Sequence, residues 1–552
     1  MSLYSSNIRF KKTKQYLLVI ILATLFANCK QQPEVKVVSV DKPQDIEKET
    51  LDQLNYFIQD TICEIDSIKL ICYPYFKKHY NQHLLWFNNT KLNDNGDSLI
   101  KLIDNAIYYG LNKNDYLIGD IYFHINAIHQ DKKLVNVTSL VKADLLMSNA
   151  YYLLGAHLNK GRFNHDTLIR ETNFALLNNR WDSLLSDGIS SKKLRAALDS
   201  LEPKFYHYKM LKQELAKLLH DTTRYQFDSI PFVSIKDSSQ KQQLIINNLI
   251  KQGYYDTINH QTSDSIKLSK ALNKLQKQWY IQPDGKLGKY TMQALSYNRE
   301  KIIQQICMAM ERWRWEKPFP EKYAFINIPA FELTVYEKDT VVMQSAVVCG
   351  KPENQTPILK SKIDHMLIYP YWNVPTSIAT KEILPAVQRD ISYIDKKNFE
   401  VLGKGDKVLD HTKLPWKKYT KDYLPVRFRQ RTGEDNSLGV VKFNFNNPFG
   451  VYLHDTNSKK YFKTSSRAQS HGCIRLEKFT EFADFLVRDD SLHYTHDSLQ
   501  LYFAKQEQRK IKLKKPLPIF TRYYTAYADS LGLKLYIDVY RKDEEMMKLI
   551  YK

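Results

Sequence analysis

Glycine and cysteine are scarce in this sequence: its 552 residues include 17 glycines and 6 cysteines, against 37 tyrosines. No two cysteines have CxxC spacing and no HExxH motif occurs, so the ligand patterns of common zinc sites are missing. We therefore expect no dedicated zinc site. Cys63 and Cys72 are close in sequence and could pair if the chain is exported, but connectivity cannot be read from the sequence.

Two further absences limit the classes of partner. The chain lacks an Arg/Lys-rich run with interleaved aromatic residues and any nucleic-acid motif, so we expect no nucleic acid partner. After residue 29, no segment is apolar enough to span a membrane. The net charge of +21 suits carboxylate-rich or phosphate-rich envelope polymers, but a solvated basic surface explains it at least as well.

The N-terminus has the pattern of an export signal. Residues 1–15 are basic, residues 16–27 form a short apolar run, and Cys29 follows. Cys29 resembles the acylated cysteine of a bacterial lipoprotein. We therefore expect a signal peptide at 1–29 and a mature chain in the cell envelope or periplasm, lipid-anchored to a membrane. An ordinary signal peptide or an uncleaved anchor is the alternative.

The predicted fold class is multidomain α+β. Hydrophobic residues make up 43% of the chain, which is ample for buried cores. The predicted order along the chain is a tether at 30–50, an all-helical scaffold domain at 51–235, a small helical module at 240–300, and a β-rich domain at 311–545 with an insert at 376–433. A final hairpin is expected around "DSLG", residues 529–532.

The small helical module has a recognisable pattern. A short amphipathic helix ends near Trp279, a turn follows, and a second helix begins near Thr291, which could cap it. This region resembles the peptidoglycan-binding-like module. The residues that carry the resemblance are Gln276, Asp284, Gly285, Gly288 and Thr291. Glycan binding and a purely structural helical hairpin both remain open as its role.

The stretch "SHGCIRL", residues 470–476, has three candidate interpretations. A zinc site would combine it with His454 of "YLHDTN", but the histidine and cysteine two residues apart lack the usual ligand loop. A core strand is a poor fit because only Ile474 and Leu476 are plainly apolar. A nucleophilic thiol at Cys473 accounts for more of the positions.

Each neighbour of Cys473 then has an expected role. His471 is the predicted proton donor and acceptor, and Gly472 lets the chain bend so that its own N–H, with that of Cys473, forms an oxyanion hole. Arg475 is a support residue whose charge favours the thiolate or binds a substrate carboxylate. No acidic residue flanks His471, so we expect a backbone carbonyl to orient its ring.

The spacing of His454 and "SHGCIR" resembles the signature of YkuD-type L,D-transpeptidases. The long periplasmic subgroup of that family, with a helical scaffold, a peptidoglycan-binding-like module and a capping subdomain, is similar over nearly the whole mature chain. Further stretches that carry the resemblance are "ERWRW", "NIPAFEL", "VVCGKPENQTP", "YPYWNVPTSIATKEILP", "NSLGVVKFNFNN" and "VYLHDT".

The resemblance implies a ping-pong acyl transfer without a cofactor. Cys473 would attack the carbonyl after the third residue of a tetrapeptide stem of peptidoglycan, release D-Ala, and pass the acyl group to an amine of a second stem as a 3→3 cross-link. His454, Tyr452 and Ser470 are the expected substrate-binding residues, and the insert would be the capping subdomain. Trp372, in "WNVP", is as consistent with packing as with substrate contact.

Two alternatives remain open at this point. Water could replace the amine, giving an L,D-carboxypeptidase, or the same acyl-enzyme could attach or release a wall-linked protein. The chain could instead be a non-catalytic wall-binding lipoprotein that keeps the cysteine domain as a scaffold. The sequence does not determine the oligomeric state.

Overall fold

The computed structural model describes residues 34–163, 179–221, 230, 238–258 and 263–550. The predicted signal peptide and Cys29 lie outside the described residues. The chain divides into two compact units, one on each side of the Pro203–Lys204 bond.

The N-terminal unit is built around one long buried helix. Its α-helices are α1 (Pro43–Ile58), α2 (Tyr73–Phe76), α3 (Asp94–Asp104), α4 (Ile118–Ile128), α5 (Val137–Lys160), α6 (Asn179–Ser190) and α7 (Leu194–Leu201). Helix α5 begins where the Asn136 side chain accepts a hydrogen bond from the N–H of Ser139. Every residue of α5 from Val137 to Leu158 is buried, so this helix is the centre of the unit's core.

Short strands make this unit less purely helical than the sequence predicts. The strands are β1 (Val37–Ser39), β2 (Glu64–Ile65), β3 (Ile68–Lys69), β4 (Phe87–Asn88), β5 (Lys91–Leu92) and β6 (Leu134–Asn136). They form antiparallel pairs β1–β6, β2–β3 and β4–β5. Strand β1 and the start of α1 fall inside the predicted tether, so that prediction is wrong from Val37 onward. Two- and three-residue strands are too short to show a period.

The C-terminal unit opens with helices. They are α8 (Tyr206–His220), α9 (Ser238–Lys251), α10 (Asp264–Gln278), α11 (Lys289–Leu295) and α12 (Arg299–Arg314). Helices α9, α10 and α11 occupy the predicted module. Helix α10 ends at Gln278 with Trp279 as its C-cap, as predicted. The N-cap of α11 is Gly288, so the prediction that Thr291 caps this helix is wrong.

A nine-stranded sheet dominates the rest of this unit among the described residues. Its strands are β7 (Lys322–Asn327), β8 (Glu332–Glu337), β9 (Thr340–Gly350), β10 (Leu359–Ile368), β15 (Val441–Phe445), β16 (Leu453–His454), β17 (Ala468–Ser470), β18 (Ile474–Leu476) and β19 (Arg509–Arg522). The order is β17-β9-β18-β16-β15-β10-β19-β7-β8, and β8 also pairs with β9. This additional pairing closes the sheet on itself, which removes one pair of open edges.

The insert has its own sheet and its own core. Strands β11 (Trp372–Asn373), β12 (Phe399–Leu402), β13 (Val408–Leu409) and β14 (Arg427–Gln430) pair in the order β11-β14-β12-β13. Its helices are α13 (Thr376–Ile378), a π-helical turn (Ala379–Ile383), α14 (Leu384–Arg389) and α15 (Tyr393–Lys396). Ile394, Trp416 and Phe428 are among the buried residues of a separate hydrophobic cluster in this insert.

The C-terminal part adds two strands and three helices. They are α16 (Phe479–Val487), α17 (His496–Lys505), β20 (Ala526–Asp529), β21 (Gly532–Leu535) and α18 (Lys542–Ile550). Strands β20 and β21 form the predicted hairpin around "DSLG". The structure has short 3₁₀ helices at Lys77–His79, Ala106–Tyr109, Lys113–Tyr116, Pro352–Asn354, Lys404–Asp406, His411–Lys413, Trp416–Lys418, Lys459–Lys463 and Arg488–Asp490. No helix within the described ranges is both long and apolar enough to cross a membrane.

Candidate active site

Cys473 lies in a tight turn between β17 and β18. Gly472, directly before it, has φ of +115°, a backbone conformation that side chains disfavour and glycine adopts readily. The Ser470 hydroxyl accepts a hydrogen bond from the Gly472 N–H at 3.1 Å and donates one to the Cys473 carbonyl at 2.5 Å. Ser470 therefore holds the turn that presents the thiol, and both of its recorded hydrogen bonds stay inside that turn.

A buried threonine supports the same turn from behind. The Thr356 hydroxyl donates to the Gly472 carbonyl and accepts from the Gly350 N–H, both at 2.9 Å. The Thr356 N–H donates to the Tyr540 hydroxyl at 3.2 Å, and that hydroxyl donates to the Gly350 carbonyl at 2.7 Å. The glycine turn is thus fixed to the end of β9 and to the C-terminal segment.

Three adjacent strands place a row of polar side chains beside the thiol. His454 on β16 lies opposite Lys442 on β15 in an antiparallel pair, and next to Arg475 on β18 in a parallel pair. Residues in register share one face of a sheet. Because side chains alternate along a strand, Tyr452 and Cys473 point to this face too.

Tyr452 is the residue most directly engaged with the sulfur. Its backbone and its hydroxyl both favour the thiolate form of Cys473, and the Trp372 side chain interacts with the same hydroxyl. The Lys442 ammonium lies 3.9 Å from the centre of the Tyr452 ring, a cation–π contact. Tyr452 therefore lies beside the thiol, and Trp372 approaches it from the insert.

Burial raises the pKa of the Cys473 thiol, although the Tyr452 hydrogen bonds and the charges of Lys442 and Arg475 oppose this effect. At neutral pH the resting group is therefore a thiol. Burial in turn lowers the pKa of Lys442 and of Arg475, while the nearby sulfur favours their charged forms. The two cations would stabilise negative charge that develops on sulfur during attack.

His454 is buried and neutral. Burial, followed by the charges of Arg475 and Lys442, lowers the pKa of its ring to about 3. Its Nδ1 contacts the backbone carbonyl of Asp455, which can only accept, so Nδ1 carries the hydrogen. The neutral ring then has its acceptor lone pair on Nε2, and it also interacts with the Leu438 backbone.

His471 has a different partner from the one predicted. Its Nε2 lies 2.5 Å from Oε1 of Glu382, which is 89 residues away in sequence and belongs to the insert. The prediction that a backbone carbonyl orients this ring is wrong, because a carboxylate does so. The only recorded ring-to-carbonyl contact of the two site histidines is that of His454.

The oxyanion hole differs in part from the prediction. The Gly472 N–H was expected to be unobstructed, but it donates to Ser470 and is therefore engaged. Among the described residues, the Cys473 N–H has no recorded partner. This leaves one backbone donor of the predicted pair open at the turn.

Arg475 retains unused hydrogen-bonding capacity. Its Nε and Nη1 atoms are buried and have no partner in the described part of the chain, and its guanidinium lies 5.5 Å from the Tyr461 ring centre. Buried donors without partners are costly, so such a group is well suited to a ligand that supplies an acceptor. A substrate carboxylate has that chemistry.

The structure thus gathers Cys473, Arg475, His454 and Tyr452 on one face, with His471 and Gly472 at the turn. Sequence reasoning missed Lys442, Glu382 and Thr356. The alternation of apolar and polar residues in "VVKFNF" would have been a weak signal for Lys442. Glu382 and Thr356 come from distant segments with no local pattern. Within the described ranges, no group of three or more His, Cys, Asp or Glu residues could hold a metal ion, and the five described cysteines are free thiols.

The matching residues of the helical module are occupied with one another. Gln276 is fully buried, and its amide donates to Asp284 Oδ1 at 2.7 Å and to Thr291 Oγ1 at 3.0 Å. Its Oε1 accepts from the Gly285 N–H at 2.9 Å, and Gly285 has φ of +66°. These contacts hold the turn between α10 and α11, so the structural role left open above has direct support.

Comparison with known proteins bears on both halves of the chain. Residues 321–493 match the model of the YkuD L,D-transpeptidase catalytic domain. The chain carries an L,D-transpeptidase catalytic domain. Lys442, His454 and Cys473 all lie within this matched range. Residues 75–215 match the model called the scaffold domain.

One curated relative and several solved structures are similar to parts of the chain. A Haemophilus influenzae protein provisionally named an L,D-transpeptidase is 29% identical over 245 residues, which are 44% of this chain and 49% of that protein. The chain thus spans about half the length of this relative.

Three solved structures share less sequence. An L,D-transpeptidase from Mycobacterium smegmatis is 13% identical, with a TM-score of 0.18, over 37% of this chain and 58% of that chain. One from Stackebrandtia nassauensis is 15% identical, with a TM-score of 0.19, over 54% and 96%. The Ldtfm–avibactam carbamoyl enzyme is 9% identical, with a TM-score of 0.19, over 52% and 99%.

Proposed function

We propose that this protein is a cysteine-dependent L,D-transpeptidase that forms 3→3 cross-links between peptidoglycan stems. The observation that carries the proposal is the arrangement around Cys473. The Cys473 thiol follows a glycine turn and lies on the same sheet face as the neutral His454, which has Lys442 on one side and Arg475 on the other. Among the described residues, the backbone N–H of Cys473 has no partner. These are the parts that acyl transfer through a thioester requires.

In the first half-reaction, Cys473 Sγ bonds to the carbonyl carbon after the third residue of a donor tetrapeptide. The C–N bond to D-Ala breaks, and the thiol proton goes by way of a histidine to the leaving amine. In the second half-reaction, the side-chain amine of an acceptor stem attacks the thioester. The C–S bond breaks, and the amine proton returns to sulfur.

His454 is our proposed acceptor for the thiol proton. It is on the thiol face, neutral, and held by the Asp455 carbonyl in the tautomer whose acceptor nitrogen is Nε2. The low pKa of its ring reflects burial and two neighbouring positive charges, which a thiolate would offset. His471, the acceptor predicted from sequence, stays a second candidate because it has a carboxylate partner.

The cations supply substrate selectivity in this proposal. Stem peptides carry free carboxylates, and the unpartnered guanidinium atoms of Arg475 can bind one. Tyr452, which lies beside Cys473 and in cation–π contact with Lys442, would form the wall of the acyl pocket. The insert, with Trp372 on its first strand, would close over the donor and exclude water.

The rest of the domain plan is part of the same proposal. Residues 51–235 would be the scaffold domain, 240–300 the peptidoglycan-binding-like module, and 311–545 the catalytic domain with its capping subdomain at 376–433. An envelope location with a lipid anchor at Cys29 follows from the predicted signal at 1–29.

The experiment that tests this function is a muropeptide profile. Purified protein and the Cys473→Ala variant are incubated with sacculi rich in tetrapeptide stems, and the digests are separated by mass. We expect 3→3 dimers and free D-Ala with the natural protein only. Tripeptides without dimers would make the enzyme a carboxypeptidase, and no difference from the variant would overturn an acyl-transfer role.

A further inference from the structure

The Glu382–His471 contact connects the insert to the turn that carries the candidate nucleophile. Among the described residues, every other recorded ion pair of the insert stays inside it. Those pairs are Asp390–Lys396, Asp395–His411, Lys413–Asp410, Arg427–Asp406, Arg429–Glu400 and Arg431–Glu400. Of the ion pairs in the described part of the chain, Glu382–His471 is the one that joins the insert to the turn after β17.

Glu382 has a fixed position on the insert. It belongs to the π-helical turn Ala379–Ile383, in which Ala379 and Ile383 are buried. Both of these residues are part of the insert's own hydrophobic cluster. The turn therefore holds the carboxylate on the outside of a packed subdomain, so a displacement of the insert displaces the carboxylate with it. Single π-helical turns are frequent at functional sites.

His471 is equally tied to the nucleophile. It directly precedes Gly472, whose φ is positive, and Cys473 directly follows Gly472. A rotation of the His471 backbone would therefore disturb the turn that presents the thiol. Thr356 holds the Gly472 carbonyl, and the Lys351 N–H holds the Ser470 carbonyl at 2.9 Å. Within the described part of the chain, the ring of His471 is the part of this turn that forms an ion pair with the insert.

We propose that Glu382 is a positioning residue that acts through His471: it fastens the seated insert to the nucleophile turn, and so makes the geometry at Cys473 depend on the position of the insert. The proposal rests on the proposed function. A carboxylate acceptor fixes the imidazole tautomer and its direction, as in other catalytic sites in which a third group orients a histidine. Both side chains are partly exposed, so the contact can form and break as substrate enters.

The test uses three variants of the full chain and one matched control. Glu382→Gln removes the charge and keeps the shape, Glu382→Asp restores the charge, and His471→Gln removes the partner. Asp395→Asn is the control, because Asp395 makes the same kind of carboxylate–histidine contact, with His411 at 3.3 Å, but inside the insert. The measurement is the rate at which a carbapenem acylates each protein, followed by intact mass.

We expect Glu382→Gln to slow acylation by about 10- to 100-fold, as small displacements of catalytic groups do. Glu382→Asp should recover part of the rate, and Asp395→Asn should match the natural protein. Combining Glu382→Gln with His471→Gln should be no slower than His471→Gln alone, because a residue that acts through His471 has nothing left to position. Additive losses, or an unchanged rate in Glu382→Gln, would overturn the inference.

A failure of this inference is distinguishable from a failure of the proposed function. Cys473→Ala is labelled in the same series. If the natural protein is acylated and Cys473→Ala is not, the thiol chemistry stands whatever Glu382 does. If both are labelled alike, Cys473 is not the nucleophile and the proposed function fails. The inference about Glu382 then fails with it, because Glu382 would have no nucleophile to position.

Discussion

His454 and Arg475 lie side by side on neighbouring parallel strands, and after burial the Arg475 charge is the main influence that holds the His454 ring neutral. Lys442 faces the same ring from the other side. A neutral histidine between two cations, beside a protonated thiol, differs from a preformed thiolate–imidazolium pair. In the proposed mechanism, the proton would therefore leave the thiol during attack, with base assistance.

The pH dependence of thiol reactivity follows from this arrangement. Burial raises the pKa of Cys473, so the thiolate fraction is small at neutral pH and grows as pH rises. Alkylation of Cys473 by iodoacetamide, followed at the peptide level, should therefore increase steadily from pH 6 to pH 9, about tenfold per unit. A rate that is flat across this range would indicate a preformed ion pair instead.

Lys442 should control the same reactivity, although no sequence pattern identified it. Its charge lowers the pKa of the Cys473 thiol, so Lys442→Met should raise that pKa. Alkylation at pH 7.5 should then slow by about tenfold for each unit by which the thiol pKa rises. Lys442→Arg keeps the charge and serves as the control. The other described cysteines are buried, which keeps the signal specific to Cys473. Equal rates in the two variants would show that the charge has no effect.

The two histidines should differ in their effect on acylation. His454→Gln removes the proposed proton acceptor and should slow carbapenem acylation by about 100-fold or more, in the range of general base contributions. His471→Gln should cost less, because it removes a positioning contact. The measurement is the acylation rate constant for both variants at one pH. A larger loss in His471→Gln would return the acceptor role to His471, as the sequence predicts.

Gly472 should be intolerant of a side chain for conformational reasons. A Cβ there would meet its nearest heavy atom, the Gln355 carbonyl oxygen, at 3.6 Å, which is ordinary contact, so space is not the obstacle. The obstacle is the φ of +115°, which residues with a side chain adopt only under strain. Gly472→Ala should therefore destabilise the native turn by about 1–2 kcal/mol. We expect a lower midpoint of thermal unfolding together with slower acylation. Unchanged values of both would mean that the turn adopts another conformation at no cost.

The module prediction concerns stability alone. Gln276→Leu leaves the Gly285 N–H and the Thr291 hydroxyl without their partner in a buried site and should cost about 2–4 kcal/mol. Gln282→Leu, at an exposed position in the same segment, is the control. Denaturant unfolding measures both. If Gln276→Leu instead reduced binding to sacculi without loss of stability, the module would have a binding role at these residues.

The fold class and the turn that carries Cys473 were predictable because their signals are local. The turn from Ser470 to Cys473 is contiguous in sequence, and period-two alternation marked the sheet around it. The contacts that complete the site are not local: Thr356 reaches Gly472 across 116 residues, and Glu382 reaches His471 across 89. Such pairs depend on how strands close and where an insert docks, so no window of sequence could have named them.

The same reason explains the errors. Gly472 was expected to offer a free N–H, but this N–H donates to the Ser470 hydroxyl within the turn. Hydrogen bonds of this kind depend on backbone geometry that residue types alone do not determine.

The central claim, a covalent acyl-enzyme on Cys473, is tested most directly by intact-protein mass after incubation with a carbapenem. We expect one adduct on the natural protein, mapped by peptide digestion to Cys473, and none on Cys473→Ala under the same conditions. Equal labelling of the two proteins, or an adduct that maps to another residue, would contradict the account.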